Sequence, residues 1–232
     1  MGRYDRHTIL EEIGEGGQQK LLDASVLLVG VGGLGSPVAL YLAAAGVGRI
    51  GLVDPDTVSE SNLQRQVLYS EAEIGLPKVD CARRRLLQLS SHTRIDLYPT
   101  RFNPENAYGI AAPYELIIDG CDNFSTRYLI NDVCVRTGKP YIYGSIGKFH
   151  GQVAVFNYKG GVNYRDLFPD EKILTARKPE ITGVMGVVPG IIGSLQAAEV
   201  IKIITGCGKV LYNKLLTLDV LTMETEILDF TV

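Results

Sequence analysis

The chain has 232 residues, of which 46% are hydrophobic and 21% charged, a balance typical of a soluble globular protein with a substantial core. Its formal net charge of -3 lacks the basic excess of general nucleic-acid-binding proteins, so nucleic acid is not an expected partner. Apolar runs stop short of a membrane-spanning length except at residues 184–204, where polar residues indicate a buried helix, and no membrane partner is expected. The first residues lack the apolar core of a signal peptide, which predicts a cytoplasmic protein.

Strands alternate with helices in the predicted order of elements. Short β-branched and apolar runs predict strands, and longer runs of helix-forming residues predict helices. The predicted strands are residues 26–29, 49–53, 94–98, 116–118, 141–143, 152–156, 214–218 and 224–230. The predicted helices are residues 36–45, 78–89, 125–137 and 184–204. This order predicts an α/β fold with a doubly wound, mostly parallel Rossmann-like sheet that is extended by antiparallel strands.

A glycine loop, residues 30–35 (Gly-Val-Gly-Gly-Leu-Gly), satisfies GxGxxG between a predicted strand and a predicted helix. Its glycines are Gly30, Gly32, Gly33 and Gly35. Glycines there permit a tight turn and let the backbone approach phosphate, while the helix N-terminus offers free N–H groups. Asp54, 19 residues after Gly35, is placed to accept hydrogen bonds from ribose hydroxyls. These residues predict a nucleotide site and fit NAD, FAD or ATP equally well.

A polar segment, residues 61–66 (Ser-Asn-Leu-Gln-Arg-Gln), lies beyond the C-terminal end of the next strand, on the side where open α/β sheets bind ligands. A dehydrogenase has no obvious use for it. A triphosphate, however, needs several donors and positive charges to hold its outer phosphates and to stabilise a leaving pyrophosphate. Arg65, and Lys78 at the start of the following helix, can supply those charges. The polar segment therefore favours ATP as a consumed substrate.

Carboxylates follow the strand predicted at residues 116–118. Asp122 lies beyond the C-terminal end of this strand, where a carboxylate can bind Mg2+ together with phosphate oxygens and water. Asp119 is nearer the strand and is expected to cap or brace the loop. Asp122 is therefore the predicted ligand of Mg2+.

Several motifs occur together in one order along the chain. They are residues 3–6 (Arg-Tyr-Asp-Arg), the glycine loop, Asp54, the polar segment, Pro77-Lys78, Asp122-Asn123 and residues 193–199 (Gly-Ser-Leu-Gln-Ala-Ala-Glu). In this combination the chain resembles, over nearly its whole length, the ThiF/MoeB/HesA family, bacterial relatives of the ubiquitin-activating enzymes. The resemblance implies an adenylyltransferase that uses ATP and Mg2+ to activate the C-terminal Gly-Gly carboxylate of a ubiquitin-like sulfur-carrier protein. That carboxylate attacks the α-phosphate of ATP, which gives an acyl-adenylate and pyrophosphate.

The resemblance also implies roles for individual residues. The expected catalytic residues are Arg6, Arg65, Lys78 and Asp122. The expected nucleotide-binding residues are Gly30, Gly32, Gly33, Gly35, Asp54, Asp56, Ser61, Asn62, Gln66 and Asn123. Arg6 corresponds to an arginine that, in the family, reaches the ATP of the opposite subunit. A homodimer is therefore expected.

Two departures from the family bear on these expectations. Many relatives bind structural zinc through two CxxC pairs, but the cysteines here, at positions 81, 121, 134 and 207, form no such pair, so zinc is not expected. Ordinary packing must close that region, with Tyr164, Leu167 and Phe168 as candidates. Some relatives also use a cysteine in the crossover region, whereas residues 170–182 contain none. Sulfur delivery is therefore expected from a separate sulfurtransferase.

Residues 1–232 are expected to form one domain. It would comprise a short helical arm at about residues 1–22, a nucleotide-binding half at about 23–140 and a carrier-binding half at about 141–232. Within the last of these, residues 170–182 mix charge with Pro179 and show no clear period, which predicts a mobile connection. A solvated linker and a loop that crosses over a bound substrate both fit this composition.

The residues leave several alternatives open. The carrier could be ThiS-like, from thiamine thiazole synthesis, which is placed first, or MoaD-like, from molybdopterin synthesis. A different adenylating enzyme of the superfamily would act on a peptide or on a modified tRNA base. Outside adenylation, an NAD-dependent oxidoreductase or a non-catalytic nucleotide-binding module would also use the glycine loop.

Overall fold

The computed structural model describes residues 2–176 and 183–230. Its strands are β1 (Ser25–Val29), β2 (Arg49–Val53), β3 (Arg94–Tyr98), β4 (Leu116–Asp119), β5 (Tyr141–Gly147), β6 (His150–Phe156), β7 (Lys214–Asp219) and β8 (Glu224–Asp229). Its helices are α1 (Asp5–Thr8), α2 (Gly14–Asp23), α3 (Gly35–Ala45), α4 (Lys78–Leu89), α5 (Ala107–Ala111), α6 (Phe124–Thr137), α7 (Tyr164–Leu167), α8 (Glu171–Ala176) and α9 (Val187–Thr205). Two short 3-10 turns lie at Glu60–Asn62 and Glu71–Glu73.

The strands of the described residues form one sheet of eight, in the order β3-β2-β1-β4-β5-β6-β7-β8. Strands β3, β2, β1, β4 and β5 are parallel, and β6, β7 and β8 continue the sheet antiparallel. Leu27 of β1 pairs with Gly51 of β2 and with Ile117 of β4. The central strands are buried on both faces, which explains their unbroken apolar runs. The predicted fold class is confirmed.

Helix α9 is the apolar helix that the sequence predicts to be buried. By length and composition it could cross a membrane, but it packs against α3 and against strands β5 and β6. Gln196, fully buried on α9, donates its Nε2 to the carbonyl oxygens of Asp119 (2.8 Å) and Ile142 (3.3 Å). Strand pairing between β4 and β5 ends at Ile118 and Ile142. A helix side chain therefore satisfies carbonyls where the two strands separate.

The segment predicted as a mobile connection begins with a helix. Residues 171–176 form α8 because two contacts order them: Leu174 packs against the aromatic side of the core, and the Arg165 guanidinium donates to Glu171 Oε2 at 2.6 Å. The remaining residues of the predicted connection, 177–182, lie outside the described residues.

An aromatic cluster closes the region in which many relatives are expected to bind zinc. Its members are Tyr128, Tyr141, Tyr143, Phe156, Tyr164 and Phe168. The rings of Tyr164 and Phe168 lie 4.7 Å apart, and the Tyr128 hydroxyl donates to the Phe168 carbonyl oxygen at 2.7 Å. Arg165 stacks over Tyr128 and makes two hydrogen bonds to the Asp132 carboxylate, at 2.7 and 2.8 Å. Among the described residues, no group of three or more His, Cys, Asp and Glu side chains is arranged to hold a metal ion.

Two buried tyrosines of this cluster differ in one respect that predicts opposite effects on stability. The Tyr164 hydroxyl has no hydrogen-bond partner in the described chain, whereas that of Tyr128 donates to Phe168. We expect Tyr164→Phe to leave the free energy of unfolding unchanged or slightly higher, because it removes an unsatisfied buried group. Tyr128→Phe should lower it by about 1 kcal/mol. Urea unfolding of both variants checks this, and an equal loss in both would contradict the assignment.

Candidate nucleotide site

Three stretches of backbone meet at the carboxyl ends of β1 and β4, the point where the strand order reverses. Gly30 has φ +91° and donates its N–H to the Val53 carbonyl oxygen at 2.8 Å. A Cβ on either Gly35 or Gly120 would lie 2.2 Å from the Gly30 carbonyl oxygen. The glycine loop therefore sits against the start of α3 and the end of β4 with no room for side chains.

Asp54 lies under this loop and is almost fully buried. Its Oδ2 accepts the Val31 N–H at 2.8 Å, and its Oδ1 accepts the Asp56 N–H at 2.9 Å. Burial raises the pKa of the Asp54 carboxyl, and the nearby Lys78 charge opposes that rise. Each oxygen keeps a further lone pair for a ribose hydroxyl. Asp54 therefore braces the loop in addition to the ribose contact that the sequence predicts.

Lys78 places a cation beside Asp54. Its side chain is buried, and its Nζ lies 3.1 Å from Oδ2 of Asp56, whose carboxylate is 64% exposed. The Lys78 N–H also donates to the Asp56 carbonyl oxygen at 2.9 Å. An ion pair with one partner in solvent is weak. Lys78 can therefore exchange this partner for a phosphate.

The polar segment begins with the 3-10 turn Glu60–Asn62 and turns back toward the glycine loop. Arg65 Cδ lies 3.7 Å from the position that a Cβ of Gly33 would take, and its Nη1 donates to the Ser61 carbonyl oxygen at 3.0 Å. No carboxylate in the described chain lies within ion-pair distance of Arg65, and the Asn62 side chain makes no hydrogen bond there. An uncompensated guanidinium beside the loop is suited to bind an anion.

Gln66 and Tyr69 pack under the loop from the other side. Gln66 is buried with its Nε2 3.4 Å from the Cβ position of Gly32, and its Oε1 has no partner in the described residues. The Tyr69 hydroxyl donates to the Val31 carbonyl oxygen at 2.7 Å. The sequence did not indicate Tyr69, because an aromatic residue after two apolar residues is typical of the hydrophobic core.

The N-terminal end of α9 also contacts the loop, which the sequence did not reveal. Pro189 Cβ lies 3.2 Å from the Cβ position of Gly33. Gly186, at the helix N-cap, has the Gln64 carbonyl oxygen 2.2 Å from where a Cβ would be. Helix α9 is therefore packed against the glycine loop and the polar segment, although more than 100 residues of sequence separate it from both.

Of the residues at and after the end of β4, some make structural hydrogen bonds and others are exposed. Asp119 is fully buried, accepts the Tyr141 hydroxyl at 2.8 Å and lies 3.3 Å from Arg127 Nε, and burial raises the pKa of its carboxyl. Asn123 caps α6, because its Oδ1 accepts the Thr126 N–H at 2.9 Å. Asp122 is exposed at the same edge of the sheet as the glycine loop. Its Oδ1 accepts a long hydrogen bond from Asn123 Nδ2, at 3.4 Å, and no cation partner lies beside it in the described chain.

Arg6 is the predicted site residue that the structure does not bring to the loop. The Tyr4 ring of the same arm lies 2.7 Å from the Cβ position of Gly46, the C-cap of α3. The glycine loop is at the opposite end of this helix, about 16 Å away at 1.5 Å per residue. Arg6 is exposed, two residues beyond Tyr4 in this arm.

The free backbone donors of the loop define what the site can hold. Among the described residues, no acceptor satisfies the N–H groups of Gly32 and Gly33, while the Gly32 carbonyl oxygen accepts the N–H (2.9 Å) and the hydroxyl (2.7 Å) of Ser36. With Arg65 and Lys78, these N–H groups fit a phosphate chain, and the buried Asp54 fits a ribose. The residues present therefore fit a nucleotide.

Gly35 and Gly190 provide a matched pair of substitutions. Gly35→Ala would place a methyl group 2.2 Å from the Gly30 carbonyl oxygen, whereas nothing lies within 4 Å of a Cβ on Gly190. We expect Gly35→Ala to lower the free energy of unfolding by about 2 kcal/mol and to abolish nucleotide binding. Gly190→Ala, within helix α9, should be neutral or stabilising. Urea unfolding and calorimetric titration with ATP check both, and unimpaired ATP binding by Gly35→Ala would refute the packing argument.

Comparison with known proteins agrees with this geometry. The ThiF family matches residues 4–231. The probable molybdopterin-synthase adenylyltransferase of Porphyra purpurea is 46% identical over 228 residues, covering 97% of this chain and 59% of that protein. The sulfur carrier protein adenylyltransferase of Thermus thermophilus is 48% identical over 228 residues, covering 95% of this chain and 84% of that one.

A solved structure shows the same architecture. The crystal structure of E. coli MccB with ATP superposes with a TM-score of 0.83 and 26% identity, covering 99% of this chain and 72% of that one. Several curated relatives are longer, and the chain spans 58 to 59% of their length. The family match extends over nearly the whole chain and includes the glycine loop, the polar segment and the residues after β4. The chain belongs to the ThiF family.

Proposed function

We propose that this protein is an adenylyltransferase that uses ATP to activate the C-terminal Gly-Gly carboxylate of a ubiquitin-like sulfur-carrier protein. The observation that carries the proposal is Arg65, whose Cδ lies 3.7 Å from the Cβ position of Gly33 and whose guanidinium has no carboxylate partner in the described chain. A dinucleotide cofactor that keeps its pyrophosphate has less need of a second cation at Lys78. The names of the Porphyra and Thermus relatives also support the proposal.

The proposed reaction requires little of the side chains beyond binding the two reactants. A carboxylate is a competent nucleophile without a general base, so the protein mainly has to align it with the α-phosphate and neutralise the charge of leaving pyrophosphate. In the proposed complex, Asp54 holds the ribose, the loop N–H groups meet the phosphates, and Arg65 and Lys78 stabilise the negative charge. Asn62 and Gln66 border the same space.

Mg2+ is the proposed metal of the reaction, with Asp122 as its protein ligand. An exposed carboxylate without a cation partner in the described chain suits Mg2+, which takes one or two carboxylates, phosphate oxygens and water. When bound, the ion would neutralise part of the charge on the phosphates. Asn123 is assigned to the same edge, although its amide oxygen already serves as a helix cap.

Arg6 is proposed to act on the nucleotide of a second subunit in a homodimer. Within its own subunit it lies at the C-terminal end of α3, the end opposite the glycine loop. It can therefore contribute to catalysis only through a partner copy. In this arrangement residues 141–232 are the proposed carrier-binding half.

Sulfur delivery by a separate sulfurtransferase is part of the proposal. In the described chain, Cys81, Cys121 and Cys134 are buried. Cys207 follows the C-terminal end of α9, a helix of 19 residues that spans about 28 Å from its contacts with the glycine loop. Cys121 adjoins Gly30, but its thiol is buried and burial raises its pKa, so none of these thiols is available to attack an adenylate at the loop.

The carrier is proposed to be ThiS-like, with a MoaD-like carrier as the alternative. The first follows from the missing zinc ligands, and the name of the Porphyra relative supports the second. Both carriers end in the same Gly-Gly tail, so the nucleotide site does not discriminate between them. Exchange assays with each purified carrier decide the choice.

We expect carrier-dependent exchange of labelled pyrophosphate into ATP. A carrier that lacks its last glycine should give no exchange. Asp122→Asn should lower the rate at least about tenfold, whereas the same substitution at Asp23, an exposed carboxylate at the opposite end of the sheet, should not. Full exchange by Asp122→Asn with an active carrier would refute the metal assignment. Exchange without any carrier would instead support a peptide or another small substrate.

The role of Arg6 predicts complementation between two inactive variants. Arg6→Ala and Arg65→Ala should each lose exchange activity when assayed alone. Mixed subunits should regain about a quarter of wild-type activity, because half of the dimers are mixed and one of their two sites is intact. Denaturation and joint refolding of the two variants, followed by the exchange assay, checks this. If no activity returned in a mixture shown to contain mixed dimers, the assignment in trans would be wrong.

A further inference from the structure

One peptide group of the glycine loop, between Val31 and Gly32, is held by a side chain from outside the loop. The Tyr69 hydroxyl donates to the Val31 carbonyl oxygen at 2.7 Å, and Tyr69 is 8% exposed. On the preceding peptide, the Val31 N–H donates to Asp54 Oδ2 at 2.8 Å. Val31 is therefore fixed through both of its backbone polar groups.

The direction of the Gly32 N–H follows from the geometry of this peptide. The bond is trans, so its C=O and N–H lie in one plane and point in opposite directions. Because Tyr69 holds the carbonyl oxygen on the buried side, the Gly32 N–H points away from Tyr69. That N–H has no acceptor in the described chain. Tyr69 thus sets the direction of a free backbone donor.

An alternative orientation of this peptide is available to the loop. Gly32 has no Cβ, so rotation of the peptide meets little steric resistance. Gln66 packs against Gly32 and carries a buried Oε1 without a partner in the described residues. The Gln66 atom nearest to the Cβ position of Gly32 is Nε2, at 3.4 Å, so Gln66 does not hold this peptide in its present orientation. Neither the Asp54 bond nor the Ser36 bonds involve this peptide, so they do not prevent the rotation.

We propose that Tyr69 is a positioning residue for the triphosphate: its hydroxyl fixes the Val31–Gly32 peptide so that the Gly32 N–H faces the phosphates. The inference rests on the proposed function, since it takes ATP as the ligand of the loop. It adds a second role for this stretch of the chain. Arg65, in the polar segment, would bind phosphate directly, and Tyr69, three residues beyond the segment, would orient the backbone N–H that binds phosphate.

The test compares Tyr69→Phe with Tyr128→Phe in the full chain. Both variants lose a hydroxyl that donates to a backbone carbonyl oxygen at 2.7 Å, but only Tyr69 lies under the loop. Calorimetric titrations with ATP and with adenosine separate the phosphate contacts from the nucleoside contacts. Tyr69→Phe should weaken ATP binding about tenfold, because one charge-assisted hydrogen bond is misaligned. Its affinity for adenosine should not change, and Tyr128→Phe should alter neither.

Steady-state exchange provides a second readout that a merely structural role would not give. In Tyr69→Phe the KM for ATP should rise while kcat at saturating ATP stays within about twofold of wild type. Equal ATP affinity in wild type and Tyr69→Phe would overturn the inference, and so would an equal loss of ATP and adenosine affinity. If the wild-type protein did not bind ATP, the proposed function would fail and this inference with it.

Discussion

The site depends on one steric constraint, the close approach of three backbone segments at Gly30, Gly35 and Gly120. A Cβ on either of the last two would lie 2.2 Å from the Gly30 carbonyl oxygen. The constraint holds β1, β4 and the start of α3 at distances that only glycine permits. Because parallel strands end at the same edge, Asp54 after β2 and Asp122 after β4 come to the same edge of the sheet as the loop. The polar segment and α9 then cover it.

Much of this fold follows from local sequence pattern. Strands β2 and β3 and helix α4 have the bounds that alternation, helix propensity and flanking Gly or Pro residues predict. The short helices α5, α7 and α8 have no pattern long enough to predict, since tertiary contacts order them. One of the two contacts that order α8 is the ion pair between Arg165 and Glu171, and single pairs of this kind leave no periodic signal in the sequence.

In the candidate nucleotide site, the sequence indicates residues whose type and spacing suit phosphate or ribose, and it does not indicate residues that reach the loop through tertiary contacts. The glycine loop, Asp54 and Arg65 carry residue types that phosphate and ribose require, so they stand out in the sequence. Tyr69 and Pro189 contact the loop through packing across 38 and more residues of sequence, and their residue types are ordinary for a core. The hydrogen bond by which Asp54 braces Val31 could not be predicted, because the predicted ribose contact alone accounts for a carboxylate at this position.

In the proposed homodimer, in which Arg6 would act on the nucleotide of the partner subunit, the position of the N-terminal arm determines how the protein would behave on dilution. Tyr4 anchors the arm against Gly46, so a dissociated subunit would keep its arm, its glycine loop and its Asp54 intact. Such a subunit would still have the groups that bind a nucleotide but would lack the arginine supplied by its neighbour. Specific activity would then fall as the protein is diluted, while nucleotide affinity would stay nearly constant. The reason is that the arm lies at the C-terminal end of α3, whereas the nucleotide would bind at its N-terminal end.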